Sequence, residues 1–97
     1  MLFAMIAKDR PGSLDQRAAT RPVHLEHLEA LGDKLVFAGA LLGEDGNPEG
    51  SLLVYEADTL EAASAALKAD PFVSAGIFES VEIKPWRIAI NHSGRDI

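Results

Sequence analysis

The stretch Leu35–Ala57, LVFAGALLGEDGNPEGSLLVYEA, decides the fold. Two apolar runs of strand length, Leu35–Leu42 and Ser51–Ala57, flank Gly43–Gly50, a segment dense in glycine, proline, asparagine and carboxylates. Such residues reverse a chain, because glycine and asparagine accept turn dihedrals and proline cannot continue a ladder. The reading is an antiparallel hairpin.

Toward the N-terminus, Gly32 marks the end of a helix that starts at Ser13, a residue type that caps helices, and runs to Leu31. Pro22 lies inside that span and predicts a kink or a split, since it removes a backbone donor. Before the helix, Leu2–Lys8 (LFAMIAK) is a short apolar strand ended by the turn residues Asp9-Arg10-Pro11-Gly12. Toward the C-terminus, Asp58 and Glu61 stand at capping-box spacing and predict a second helix, Thr59–Ala69, with Leu60, Ala63 and Leu67 on one face. Pro71 ends it by driving Asp70 out of the helical region. Ile77–Lys84 alternates Val81 and Ile83 with Glu82 and Lys84 as a fourth strand, closed by Pro85-Trp86, with 87–97 as a C-terminal tail in which Arg87–Ile90 is a candidate short strand. The order is β-α-β-β-α-β, an α+β chain of ferredoxin-like topology, read as a single domain over 1–97.

Two helices cover only one face of a four-stranded sheet, so the other face should alternate apolar with polar residues. The first strand (Leu2, Phe3, Ala4, Met5, Ile6, Ala7), the second (Leu35, Val36, Phe37, Ala38) and the third (Leu52, Leu53, Val54) do not. A second copy packed sheet against sheet answers that surface, making a homodimer and leaving room for a higher oligomer. Cover by loops and the tail is the alternative.

The charge balance, 15 acidic against 9 basic residues, offers no basic stripe to track phosphates, which argues against nucleic acid and anionic membrane as partners. Without cysteine there is no disulfide, thiolate metal site or cysteine nucleophile. The apolar run Met1–Ala7 lacks a basic leader and is short for a signal or a span, so the expected location is cytoplasmic.

The first helix holds the densest polar constellation. At 100° per residue Arg17, Arg21 and His24 fall within an arc of about 60°. Leu28 and Leu31 share that side, with Glu26 opposite. Three cationic or titratable groups thus border the stripe that should pack inward. Snorkelling arginine stems and a satisfied border histidine would explain this structurally; a binding or catalytic cleft would explain it functionally. His24 and His27 stand at a metal-ligand spacing, but no third ligand lies nearby, so no metal is expected. Asp70 before Pro71 is common turn chemistry. Its functional reading requires a histidine across the fold, whose tautomer a carboxylate would set. The glycines of 39–50 do not form a phosphate loop, and Ser51 lacks the setting of a hydrolase nucleophile.

Over nearly its whole length the chain resembles the YciI-like (YCII-related) family. The matching stretches are Asp9 with Ser13-Leu14 and Arg17; Arg21-Pro22-Val23-His24-Leu25; Ala38-Gly39; Gly50–Val54; Ala69–Phe72; and Val81–Pro85 with Trp86. The resemblance implies a dimeric α+β barrel of ferredoxin-like subunits, with His24 and Asp70 as a catalytic pair and Arg17, Arg21 and Ser51 as pocket residues. It also implies chemistry related to a dehydrochlorinase of hydroxylated chloroaromatics. The Gly43–Gly50 loop is shorter than in many members, which bears on the mouth of the pocket. The expected function is a cofactor-independent enzyme performing proton abstraction, isomerisation or elimination on a small cyclic or aromatic acid. The competing function is a non-catalytic dimeric module that binds a small anionic ligand.

Overall fold

A computed structural model describes residues 1–97. Its elements are β1 (Leu2–Asp9), α1 (Leu14–Leu31), a 3-10 turn (Gly32–Lys34), β2 (Leu35–Leu42), β3 (Pro48–Glu56), α2 (Leu60–Lys68), α3 (Pro71–Ser74) and β4 (Phe78–Trp86). The four strands form one antiparallel sheet in the order β2-β3-β1-β4, with the helices on one face. This is the ferredoxin-like α+β plan that the element order predicts.

The parity of β1 places the core. Phe3, Met5 and Ala7 point to the helix side and are essentially inaccessible, while Ile6 and Lys8 point the other way and are exposed. Register aligns Met5 with Leu53 and with Ile83, so the three strands contribute to one layer. Leu67 and Ala63 of α2 close over Phe3, Met5, Leu53 and Tyr55. Full burial of Leu67 alone contributes about 2 kcal/mol.

Several boundaries differ from the sequence reading, each for a local reason. β3 starts at Pro48 rather than Ser51, because the reversal is tighter than the run of turn residues: Gly43 N donates to Asn47 O at 2.9 Å. α1 is not split at Pro22. Both Pro22 and Ala18, the residue whose carbonyl loses that donor, lie on the exposed side of the helix. Ser13 occupies the cap position of α1 through its carbonyl, which accepts from Arg17 N at 2.8 Å, and its side chain makes no capping bond. α2 is capped by Thr59, whose Oγ1 accepts from Ala62 N at 3.1 Å, so the expected Asp58–Glu61 box is out of register by one residue. α3 and the 3-10 turn were not foreseen. Pro85 and Trp86 belong to β4, an edge strand where proline costs no interior ladder bond. Residues 87–97 form no strand, and the tail is tied back where Arg95 Nη1 donates to Val36 O at 2.8 Å. No helix is long and apolar enough to cross a membrane.

Gly50 is the glycine this packing demands. A Cβ there would collide with the carbonyl oxygen of Ala7 on β1, whereas one at Gly39 would meet nothing. Gly50→Ala is expected to destabilise by about 1–3 kcal/mol in urea unfolding. Gly39→Ala should change stability by less than about 0.5 kcal/mol.

Candidate functional site

α1 reverses the usual plan of a surface helix. Its buried residues are Arg17 and His24, while Leu14, Val23 and Leu25 are exposed. Burying these two and exposing leucine is costly unless the polar groups are bonded and the leucines have a use. Arg17 and His24 are both hydrogen-bonded, and Leu14 and Leu25 line a cleft of about 320 Å³ between α1 and the β2–β3 half of the sheet.

His24 and Asp70 meet. Nδ1 of His24 lies 2.8 Å from each carboxylate oxygen of Asp70, which is completely buried. The approach is built locally. α2 ends at Lys68, and Asp70 before proline adopts extended dihedrals (φ −58°, ψ 131°). Pro71 then starts α3 at its first position, where a missing N–H costs nothing. Asp70 Oδ1 accepts from Phe72 N at 2.9 Å, so the carboxylate caps α3 while it faces α1. A carboxylate only accepts, so the Nδ1 proton is the one shared with Asp70, and Nε2 is left for the cleft that His24 lines. Phe72 stacks on the imidazole with centroids 3.7 Å apart and planes within 3°. The ring is therefore held in two directions.

Arg17 is held as firmly. Nη2 donates to Gly50 O and to Ser51 Oγ, each at 2.7 Å; Nε is paired with Asp9 Oδ2 at 3.5 Å; and the guanidinium lies over the Phe72 ring at 4.7 Å. Nη1 is buried and meets no protein acceptor. Burial pushes the Arg17 guanidinium below its ordinary value and Asp9 and Asp70 hold it up, with Arg21 adding a further downward push. It stays cationic, as guanidinium does in proteins.

Of the residues expected from sequence, His24, Arg17, Arg21 and Ser51 all line the cleft, and Asp70 sits behind His24. Arg21 is exposed at the rim. Ser51, expected to contact ligand, has its hydroxyl engaged by Arg17. His27 departs from His24: its Nε2 donates to Ala66 O at 3.0 Å. No group of three or more His, Cys, Asp or Glu side chains gathers in a metal-binding arrangement.

Asp9 and Phe72 were not given roles from sequence. Asp9 continues the inward parity of Phe3, Met5 and Ala7, which is the signal that would have found it. Burial holds its carboxyl above the ordinary aspartate value; Arg17 works against that shift, and Glu49 adds to it.

These features define a class: a ferredoxin-like subunit with a histidine–aspartate pair and a fixed arginine in one cleft. The chain belongs to the YCII-related family, whose domain matches residues 1–87. It is 39% identical over 95 residues to Protein YciI of Escherichia coli O6:H1, spanning 90% of this chain and 97% of that one. An uncharacterized protein of Haemophilus influenzae is 33% identical over the same shares. Among solved structures, 5-chloro-2-hydroxyhydroquinone dehydrochlorinase (TftG) from Burkholderia phenoliruptrix, in complex with 2,5-dihydroxybenzoquinone, superposes with a TM-score of 0.82. It is 36% identical, over 90% of this chain and 94% of that one. A putative antibiotic biosynthesis monooxygenase from Bacteroides thetaiotaomicron shares the fold at 17% identity and a TM-score of 0.59, covering 100% and 94%.

Because the folded state holds the Asp9 proton more tightly than the unfolded chain, its contribution to stability is full below the ordinary aspartate range. That contribution is lost as pH rises through the folded-state value. Asp9→Asn cannot titrate. Its stability relative to wild type should therefore rise between about pH 3 and pH 7, followed by urea unfolding at each pH.

Proposed function

We propose that this chain is a cofactor-independent acid–base enzyme acting on a small cyclic or aromatic acid. The observation that carries the reading is the His24–Asp70 bond, which commits Nδ1 and frees Nε2 toward a cleft that also holds Arg17. In that arrangement Nε2 takes a proton from a ring carbon or hydroxyl, and Asp70 stabilises the imidazolium that forms. The electron pair released moves toward an oxygen held by Arg17, with Arg21 at the rim supplying further positive charge. Returning the proton to another carbon completes an isomerisation; expelling a neighbouring leaving group with its electron pair completes an elimination. The likeness to TftG, a dehydrochlorinase of a hydroxylated ring, favours substrates of that kind.

The cleft suits a flat ring. Its floor is Ala38, Gly39 and Ala40 of β2, its walls include Leu14, Leu25 and Leu28, and Phe72 lines it beside His24. The leucines exposed along α1 thus have a use as apolar contacts for the ligand. Phe37, Leu41, Leu52 and Ile6 lie exposed across the open face of the sheet, and a second copy covering them is the dimer we propose. Cytoplasmic residence and a single domain over 1–97 belong to the same reading.

In a screen of hydroxylated and halogenated ring acids, read by deuterium exchange and halide release, His24→Asn should lower kcat by about 10²–10⁴-fold. Binding of 2,5-dihydroxybenzoquinone should persist in that variant. Full turnover by His24→Asn would contradict the acid–base role, and binding without turnover in the wild type would leave the non-catalytic binding module. Ala40→Leu, which fills the floor without touching the pair, should weaken the same ligand by about tenfold or more in calorimetric titration.

A further inference from the structure

The cleft of His24 does not end at the ring-sized space between α1 and β2. A second cleft of about 370 Å³ continues from it toward the 3-10 turn, and Leu25, Leu28 and Ala38 line both. Its far end is bounded by Gly32 and Asp33 of the turn and by Leu35, the first residue of β2. The local geometry produces this groove. Leu25, Leu28, Glu29 and Gly32 stand at i, i+3, i+4 and i+7, along one face of α1 and its end. On the strand opposite, the register sets Ala38 across from Leu53 and Leu35 across from Tyr55, both core residues. The register shift between Leu35 and Phe37 thus brings Leu35 and Ala38 to the helix side together. The two walls agree in length. Leu25 to Gly32 is about 10 Å along a helix, and Leu35 to Ala38 is about 10 Å along a strand.

Charge is ordered along this groove. Arg17 and Arg21 line the His24 cleft. No lysine or arginine lines the extension, whose charged side chains are the carboxylates of Glu29 and Asp33. Both are exposed, and neither is in an ion pair. The last turn of α1 holds no basic residue, so its free carbonyls add negative potential at the same end. Between the two ends the lining is aliphatic: Leu25 is exposed, and Leu28 and Leu35 are half-buried.

We infer that the groove from Leu25 to Leu35 is a subsite for an apolar, uncharged chain that the ring acid carries on the side away from its acid group. This rests on the small-acid reading above and extends it from a bare ring to a ring with an arm. Leu25, Leu28 and Leu35 set specificity by taking the chain out of water, each buried methylene multiplying affinity by up to about fourfold. Glu29 and Asp33 reject a chain that ends in a second acid group, because its carboxylate would meet two like charges and the negative end of α1.

The test titrates the full chain with benzoate, 3-butylbenzoate, 4-butylbenzoate and the analogues of the latter two whose chains end in a carboxylate. Binding is followed through the NMR signals of His24 and of the Leu35 methyl groups. One butyl isomer should bind at least about tenfold more tightly than benzoate. That isomer should move the Leu35 methyls, whereas benzoate should move His24 and leave Leu35 in place. Its carboxylate-ended analogue should bind at least about tenfold more weakly than the butyl compound. In Glu29→Gln/Asp33→Asn, a variant of two exposed residues, that gap should narrow by about threefold or more at low salt. Equal affinity for benzoate and both butyl isomers would overturn the subsite and leave the small-acid reading standing. So would a gain in affinity that leaves the Leu35 methyls unmoved. A gap that does not narrow in the double variant would overturn the role of Glu29 and Asp33. Absence of binding by every acid, with His24 unmoved, would overturn the small-acid reading and this inference with it.

Discussion

The bond between His24 Nδ1 and Asp70 is the constraint around which the site is arranged. A fully buried carboxylate requires donors, and this one has two: the Phe72 amide and the imidazole. The first fixes Asp70 to α3, and the second fixes α1 to α3. One side chain thereby sets both the tautomer of a histidine and the docking of the helix that carries it. Phe72, one residue beyond the proline, extends the arrangement by contacting both His24 and Arg17 through its ring. Arg17 in turn reaches across to β3 through Gly50 and Ser51. The polar chain from Asp70 to Ser51 therefore ties helix layer to sheet where apolar packing between them is interrupted by the cleft.

That interruption explains the odd distribution of polarity. A helix packed flat on the sheet would bury leucines and expose arginines. α1 instead stands off from β2, so its leucines face the cleft and its two inner polar residues are bonded. β2 is affected as well: beyond Val36 every residue of this apolar strand is exposed. One side of it floors the cleft and the other belongs to the open face of the sheet. Two-sided apolar character thus has two sources here, the cleft on the helix side as well as the open sheet face on the other.

The sequence carried the fold because hydrophobic runs and turn residues are local signals, and β2 spans the residues its apolar run predicts. Boundaries drifted where backbone bonding overrules composition, as at Pro48 and Thr59. The helical wheel placed Arg17 and His24 together, since spacing on one helix is a local property. Their inversion into the interior was not legible, because it depends on Asp70, Gly50 and Ser51, each distant in the chain. The meeting of His24 and Asp70 was open from residues alone and entered as an implication of family resemblance. Asp9 was legible only through strand parity, which composition does not display.

Asp70 holds the neutral His24 ring with its proton on Nδ1 and Nε2 free. Nitrogen-15 chemical shifts of the histidine side chains test it directly. His27, whose Nε2 donates to Ala66 O, supplies the opposite tautomer within the same molecule. The expected result is a protonated Nδ1 and a bare Nε2 for His24 in the neutral ring, with that preference lost in Asp70→Ala. A neutral His24 carrying its proton on Nε2, or one indifferent to the loss of Asp70, would contradict it.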